Sequence, residues 1–153
     1  MILATLCYIQ NDNKTLMLHR IKKENDVHLN KWNGLGGKFE KGESPEECVI
    51  REIQEESGLN ITSPVLKGII TFPDFSHDDD WYVYIFTADK FTGELMDNPP
   101  EGKLEWIENK DLLSLNIWDG DEIFIPLVFE DKFFSGKFIY ENGRLKSHTL
   151  NFY

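Results

Sequence analysis

Cysteine is scarce in this chain, and so are the spacings that would tie cysteine or histidine to a metal. Cys7 and Cys48 are the only thiols. Their separation fits no zinc-ligand pattern, and two cysteines make no disulfide framework, so both read as reduced packing residues. His19, His28, His77 and His148 also lack ligand spacing and read as structural or surface residues. No apolar run is long enough to span a bilayer. The opening MILATLCYIQ has no basic segment ahead of a long apolar stretch and no small-residue cleavage site. It reads as a first strand, and the chain as cytoplasmic with no membrane partner. No internal repeat, low-complexity tract or long linker interrupts the sequence. Its 153 residues suffice for one compact domain, expected to span 1–153, as a monomer or homodimer.

Positive charge is short too. Sixteen basic residues stand against 27 acidic ones, a net charge of -11. A protein that grips a nucleic-acid polymer presents a basic stripe to neutralise phosphates, and this balance argues against one. A mononucleotide remains compatible, because a divalent cation can bridge protein carboxylates and substrate phosphates.

What is present is an alternation of strand and helix signals that predicts an α/β sandwich. Ile2 to Ile9 and Thr15 to His19 read as strands joined by the turn Asn11-Asp12-Asn13. Residues 20 to 31 are polar and irregular. Gly34, Gly36 and Gly37 form a loop expected to need backbone freedom. Ser44 then caps the clearest helix, with Pro45 at its first position, Glu47 completing a capping box, and Gly58 as its stop. Strands are expected at Val65–Phe72, Trp81–Thr87 and Leu104–Glu108, with an acidic loop over Pro73–Asp80. Asn109 is expected to cap a short helix to Leu115, and Asp121 another to about Glu130, with Pro126 weakening the second. Strands at Phe133–Tyr140 and Leu145–Phe152, joined through Asn142-Gly143, make a closing hairpin.

Inside the capped helix, Glu52, Glu55 and Glu56 share one face of about one turn. Like charges this close weaken a bare helix, and many glutamate-rich faces are simply solvated. A glycine-rich loop feeding directly into the helix points to another use. Three carboxylates on one turn suit a hard, oxygen-seeking cation such as Mg²⁺.

The segment GKFEKGESPEECVIREIQEESGL resembles the complete Nudix box: Gly37, five residues, Glu43, seven residues, Arg51-Glu52-Ile53, Gln54, Glu55-Glu56, Ser57, Gly58-Leu59. The resemblance implies a Nudix fold, an α/β/α sandwich with a mixed sheet, and metal-dependent hydrolysis of a phosphoanhydride. It implies Mg²⁺, with Mn²⁺ as a substitute. Glu52, Glu55 and Glu56 would be catalytic metal ligands, joined by the Gly36 carbonyl. Arg51 would pair with Glu43, and Gly37 and Gly58 would shape the loop and helix end. Glu56 or a neighbouring carboxylate would activate water.

Outside the box, Trp32-Asn33-Gly34 and Trp118-Asp119-Gly120-Asp121 resemble the base pocket of the MutT-type branch, which hydrolyses oxidised purine nucleoside triphosphates such as 8-oxo-dGTP. That likeness implies nucleotide-pool sanitation, with Asn33 on the base edge, Trp118 stacking, Asp121 hydrogen-bonding the base, Phe72 lining the pocket, Lys23 reaching the nucleotide and Glu101 near the metal. Another nucleoside triphosphate or a nucleotide sugar is the alternative substrate. Each of these residues also has an ordinary reading: Trp118 and Phe72 as core aromatics, Asp121 as a helix cap, Lys23 and Glu101 as surface charges, and Asn33 as a turn residue. Two positions depart from the branch pattern. Gly120 stands where a first acid is expected, and Val27 where an aromatic is expected.

Overall fold

Hydrophobic alternation gives the first strand two buried faces, and the rest of the fold follows from them. The computed structural model describes all 153 residues. Its strands are β1 (Ile2–Asn11), β2 (Lys14–Arg20), β3 (Trp32–Asn33), β4 (Asn60–Thr62), β5 (Val65–Ser76), β6 (Asp79–Ala88), β7 (Lys90–Thr92), β8 (Gly102–Glu108), β9 (Phe134–Glu141) and β10 (Arg144–Phe152); its helices are α1 (Pro45–Ser57) and the single turn α2 (Asp121–Phe124). The main sheet runs β10-β9-β5-β6-β1-β2-β3, with β8 also paired to β2. It is mixed: β1 lies parallel to β6 and β5 parallel to β9, while the other neighbours are antiparallel. No helix is long and apolar enough to cross a membrane.

Two cores result, one on each side of the sheet. Cys7 and Ile9 of β1 join Leu16, Leu18, Phe86, Val49 and Ile53 under α1. Tyr8 of the same strand points the other way, into a cluster with Met17, Ile85, Phe124, Ile125, Phe134 and Phe138. Val49 and Ile53 are fully buried, and burial of each such side chain stabilises the docked helix by about 1.5–3 kcal/mol. One long helix covers the first face. On the second, α2 and 3-10 turns at Asn109–Ser114 and Pro126–Phe129 supply the layer.

The hairpin β1–β2 pairs only over its last three rungs, Ile9 to Asn11 with Leu16 to Lys14. Beyond them the two strands part and residues 32–38 enter the gap. Asn33 pairs with Leu18 of β2, while Leu35 and Lys38 bridge Cys7 and Ala4 of β1. Gly34 and Gly36 take no left-handed backbone here. Proximity explains them better than the expected backbone freedom. A β-carbon at Gly36 would stand 2.0 Å from the Thr5 carbonyl oxygen.

Several local expectations change. Pro73–Asp80 is not a loop. β5 continues to Ser76, β6 begins at Asp79, and only His77 and Asp78 turn between them with positive φ. Asn109 caps nothing, because its Oδ1 accepts a hydrogen bond from Thr15 Oγ1 at 2.6 Å and the following turn is 3-10. Asp121 is the first residue of α2 rather than its cap, which is Gly120, and no side chain caps that turn. Pro126 divides the expected longer helix into α2 and a 3-10 turn, as a residue without an amide proton must. The short pair β4–β7 gave no sequence signal.

The capping box at α1 forms fully. Ser44 Oγ accepts from the Glu47 amide at 3.1 Å, and Glu47 Oε1 accepts from the Ser44 amide at 2.9 Å. At the other end Gly58 adopts φ +85° and donates to the Gln54 carbonyl. Ser44→Ala should cost about 1 kcal/mol and lower the thermal midpoint by about 2–4 °C, read by circular dichroism.

Candidate active site

Arg51 organises the exposed side of the carboxylate helix. Its guanidinium grips Glu43 through two bonds, Nε to Oε2 at 2.7 Å and Nη2 to Oε1 at 2.9 Å. Nη1 reaches Glu52 at 2.8 Å and Glu55 at 3.2 Å, and Nη2 also donates to the Lys38 carbonyl at 3.1 Å. Bidentate guanidinium pairing of this kind fixes orientation as well as charge. It holds the Glu43 carboxyl down at about 2. The arginine thus ties loop 38–43 to α1.

On the inner side, Glu56 is 6% exposed and its Oε1 accepts the Gly36 amide at 2.8 Å. Burial pushes its carboxyl well above the usual range, and the nearby Glu101 carboxylate adds to the effect. Glu52 is raised as well, by burial, with the Arg51 hydrogen bond opposing. Gly37 packs directly on Glu52: a β-carbon there would stand 2.4 Å from its carboxyl. Glu55 is the outlying member, about half exposed and tethered to Arg51. Glu101 is neither solvated nor idle. It takes Arg20 Nη1 at 3.2 Å and Lys23 Nζ at 3.4 Å, and Arg20 in turn binds Asp26 at 2.7 Å. Lys22 reaches Asn98 and the Pro99 carbonyl, fastening loop 20–31 to the Glu101 loop.

These donors fit a divalent cation by chemistry. All are oxygens, Glu56 and Glu101 press negative charge together in a buried place, and the Gly36 carbonyl accepts no hydrogen bond from the protein. As the side chains lie, no three acidic, histidine or cysteine groups gather about one point. Arg51 occupies oxygens of Glu52 and Glu55 instead, so those carboxylates must turn to reach a common ion.

Trp118, Phe72 and Asp121 meet on the opposite side of the sheet, whereas Asn33 pairs with Leu18 of the α1-side core and Lys23 stays with Glu101. Trp118 packs edge-on against Phe75 at 5.3 Å and Tyr140 at 5.5 Å between centroids, and Phe72 adjoins the same rings. The turn that carries Trp118 is stapled from the closing hairpin. Asp119 Oδ2 accepts Arg144 Nε and the Leu145 amide, both at 2.9 Å, and the Gly120 amide donates to the Tyr140 hydroxyl oxygen at 2.6 Å. Gly120 has no room for the expected acid, since a β-carbon would stand 2.6 Å from the Phe138 ring. Asp121 is buried, and desolvation pushes its carboxyl up to about 8, so it is mostly protonated at neutral pH. A hollow of about 370 Å³ opens beside Glu43, lined by Met1, Leu3, Lys38 and Phe39 among others, and none of the residues expected at the base lines it.

Sequence reasoning missed His28, Phe75, Tyr140 and Arg20. Val27, where an aromatic was expected, is 52% exposed, and the next residue turns inward instead. The Trp118 indole Nε1 donates to His28 Nδ1 at 2.8 Å, and the His28 ring also lies 6.0 Å from Phe75. Burial, helped by Arg20, lowers the His28 imidazole to about 4, so it stays neutral and able to accept. Counting one residue past Val27 was the only available clue.

A carboxylate helix is thus set against a glycine-rich wedge, with a cluster of tilted and edge-on aromatic rings across the sheet. The chain belongs to the Nudix family: residues 2–128 match the model of the NUDIX domain. It is 38% identical to the Nudix hydrolase YvcI of Bacillus subtilis (strain 168), over 77% of this chain and 73% of that one. It is 32% identical to the oxidized purine nucleoside triphosphate hydrolase of Danio rerio, over 78% and 76%. The crystal structure of a mutator MutT protein from Bacillus halodurans superposes with a TM-score of 0.87 at 32% identity, covering 99% and 98% of the two chains. The chain is therefore a Nudix pyrophosphohydrolase acting on nucleotide substrates, and hydrolases of this family generally use divalent metal ions.

The raised Glu56 carboxyl yields a prediction with a definite sign. An acid whose folded value lies above its unfolded one costs stability as pH rises from the unfolded value towards the folded one. Glu56→Gln should therefore raise the thermal midpoint of metal-free protein, with a gain that opens above about pH 4.5. The same variant should lose metal-dependent turnover. A midpoint that falls at pH 8 would show that the charge is compensated without metal.

Proposed function

We propose that this enzyme hydrolyses an oxidised purine nucleoside triphosphate, 8-oxo-dGTP foremost, to the monophosphate and pyrophosphate with Mg²⁺, and so clears the nucleotide pool of mutagenic precursors. Mn²⁺ is a workable substitute. The observation that carries this reading is the buried Asp121 on the turn next to Trp118, its carboxyl pushed up to about 8 by desolvation, on the same side of the sheet as the tilted rings of Phe72 and Phe75. A neutral carboxyl donates to a purine oxygen where a carboxylate would repel it. Asn33 offers an amide to the same kind of edge. The Danio rerio relative, named for oxidized purine nucleoside triphosphates, supports it.

Glu52, Glu55, Glu56 and the Gly36 carbonyl would hold the ion, with Glu101 contributing beside it. Bound there, a divalent ion offsets charge on the phosphates and lowers the pKa of water. The protein's own part is positional. The Glu56–Gly36 bond fixes the inner carboxylate against the wedge. Arg51 keeps α1 and loop 38–43 in register. Water attacks phosphorus, a carboxylate of the cluster takes its proton, and pyrophosphate leaves. No covalent intermediate is needed. Lys23, now on Glu101, lies near the acids and would meet the phosphates.

A different nucleoside triphosphate or a nucleotide sugar is the second reading, because the box recognises the anhydride and not the base. Turnover of 8-oxo-dGTP, dGTP and a nucleotide sugar with Mg²⁺ separates the two. The expected result is a clear preference in kcat/KM for the oxidised base; equal use of dGTP would end the sanitising role. Trp118→Ala should weaken purine substrates by about 10–100-fold, mainly in KM, which is the usual worth of a base–aromatic stack.

A further inference from the structure

Three buried side-chain polar atoms have no hydrogen-bond partner in the protein: Tyr8 Oη, Asn33 Nδ2 and Trp81 Nε1. Such orphans are uncommon, and each loses the water it had in the unfolded chain. Tyr8 is the most costly of them to explain. It is fully buried and sits in an apolar cluster with Phe124, Phe134 and Phe138. Phenylalanine would fill the ring's place equally well and leave nothing unpaired.

The neighbours of Tyr8 suggest what the hydroxyl is for. Its ring meets Phe124 edge-on at 6.3 Å, and Phe124 is three residues past Asp121 on α2. On its other side lies Gly34, the residue after Asn33: a β-carbon there would stand 3.2 Å from Tyr8 Cε1. Tyr8 thus lies between the two elements that carry Asn33 and Asp121. Burial, with the nearby Asp121 carboxyl adding to it, pushes the phenol well above its ordinary value, so the hydroxyl remains a donor.

We propose that the Tyr8 hydroxyl is a specificity-determining donor to a carbonyl oxygen of an oxopurine base, acting with the Asp121 carboxyl. The proposal rests on the nucleotide reading above. Two neutral donors on one face suit a base rich in exocyclic oxygen. A 6-aminopurine presents an amino donor where a 6-oxopurine presents an acceptor, so the pair disfavours adenine nucleotides. In the free protein the hydroxyl is covered, and the neighbouring aromatic side chains must part for the base to reach it.

Tyr8→Phe removes one oxygen and keeps the ring. Steady-state kinetics with Mg²⁺ on 8-oxo-dGTP, dGTP and dATP, for wild type and variant, test the idea. The expected result is a loss of about tenfold in kcat/KM on both oxopurines, carried by KM, with dATP unchanged. Binding of the product 8-oxo-dGMP, followed by tryptophan fluorescence, should weaken in step. The ligand-free variant should melt at the same temperature as wild type or higher, since an unpaired hydroxyl has gone. Unchanged KM for the oxopurines, or an equal loss on dATP, would overturn the proposal. So would a lower melting temperature, which would mean that the hydroxyl is satisfied inside the free protein. If wild type shows no preference for 8-oxo-dGTP over dGTP, the sanitising role fails alone, and the Tyr8 effect is still read on dGTP.

Discussion

Everything in this molecule depends on how closely the backbone of residues 34–37 approaches its neighbours. The strands β1 and β2 part after three rungs, and this segment fills the opening with Leu35 as the one side chain among its glycines. At Gly36 the backbone lies on the Thr5 carbonyl, and at Gly37 on the Glu52 carboxyl. That proximity lets a main-chain amide, rather than a side chain, hold Glu56. A side chain at either position would push α1 away from the sheet and carry the carboxylates with it. Trp32, just ahead of this segment, packs on the core of the opposite face, so the wedge also links the acidic helix to the aromatic face.

The charges around this wedge are arranged for a ligand rather than for the empty fold. Arg51 satisfies Glu43 and part of Glu52, but no cation faces the inner pair of Glu56 and Glu101 except Arg20 and Lys23, both bound to Glu101. Burying carboxylates without a full counter-charge costs stability. A divalent ion would reverse the sign of that cost. The opposite face has the same character, with Asp121 and Tyr8 holding polar groups in an apolar setting. Both halves give up stability where they would contact substrate, which is the usual location of such strain.

Local signals were legible wherever short-range chemistry decides the outcome. Ser44, Pro45, Glu47 and Gly58 set the ends of α1 as expected because a cap involves only residues a turn apart. Asn142-Gly143 makes its hairpin turn with both residues at positive φ, for the same reason. Prediction failed where distant residues compete. Pro73–Asp80 reads as a loop by composition, yet the pairing of β5 with β6 draws most of it into strand. Asn109 has the right side chain for a cap, but Thr15 claims it across 94 positions. The exchange of Val27 for His28 against Trp118 depends on which way an irregular loop turns, and no period records that.

The sequence alone determined the family, the carboxylate helix and its caps, because the spacing of Gly37, Glu43, Arg51, Glu52, Glu55 and Glu56 along one loop and one helix is itself the geometry. Only the tertiary structure decided that Glu56 is buried and Glu55 exposed, that Glu101 stands beside the acids, and that Trp118 is held by His28 and its turn by Tyr140. It also brought Tyr8 between the elements that carry Asn33 and Asp121. Those facts rest on contacts between segments far apart in the chain, and on burial, which depends on the whole sheet being folded.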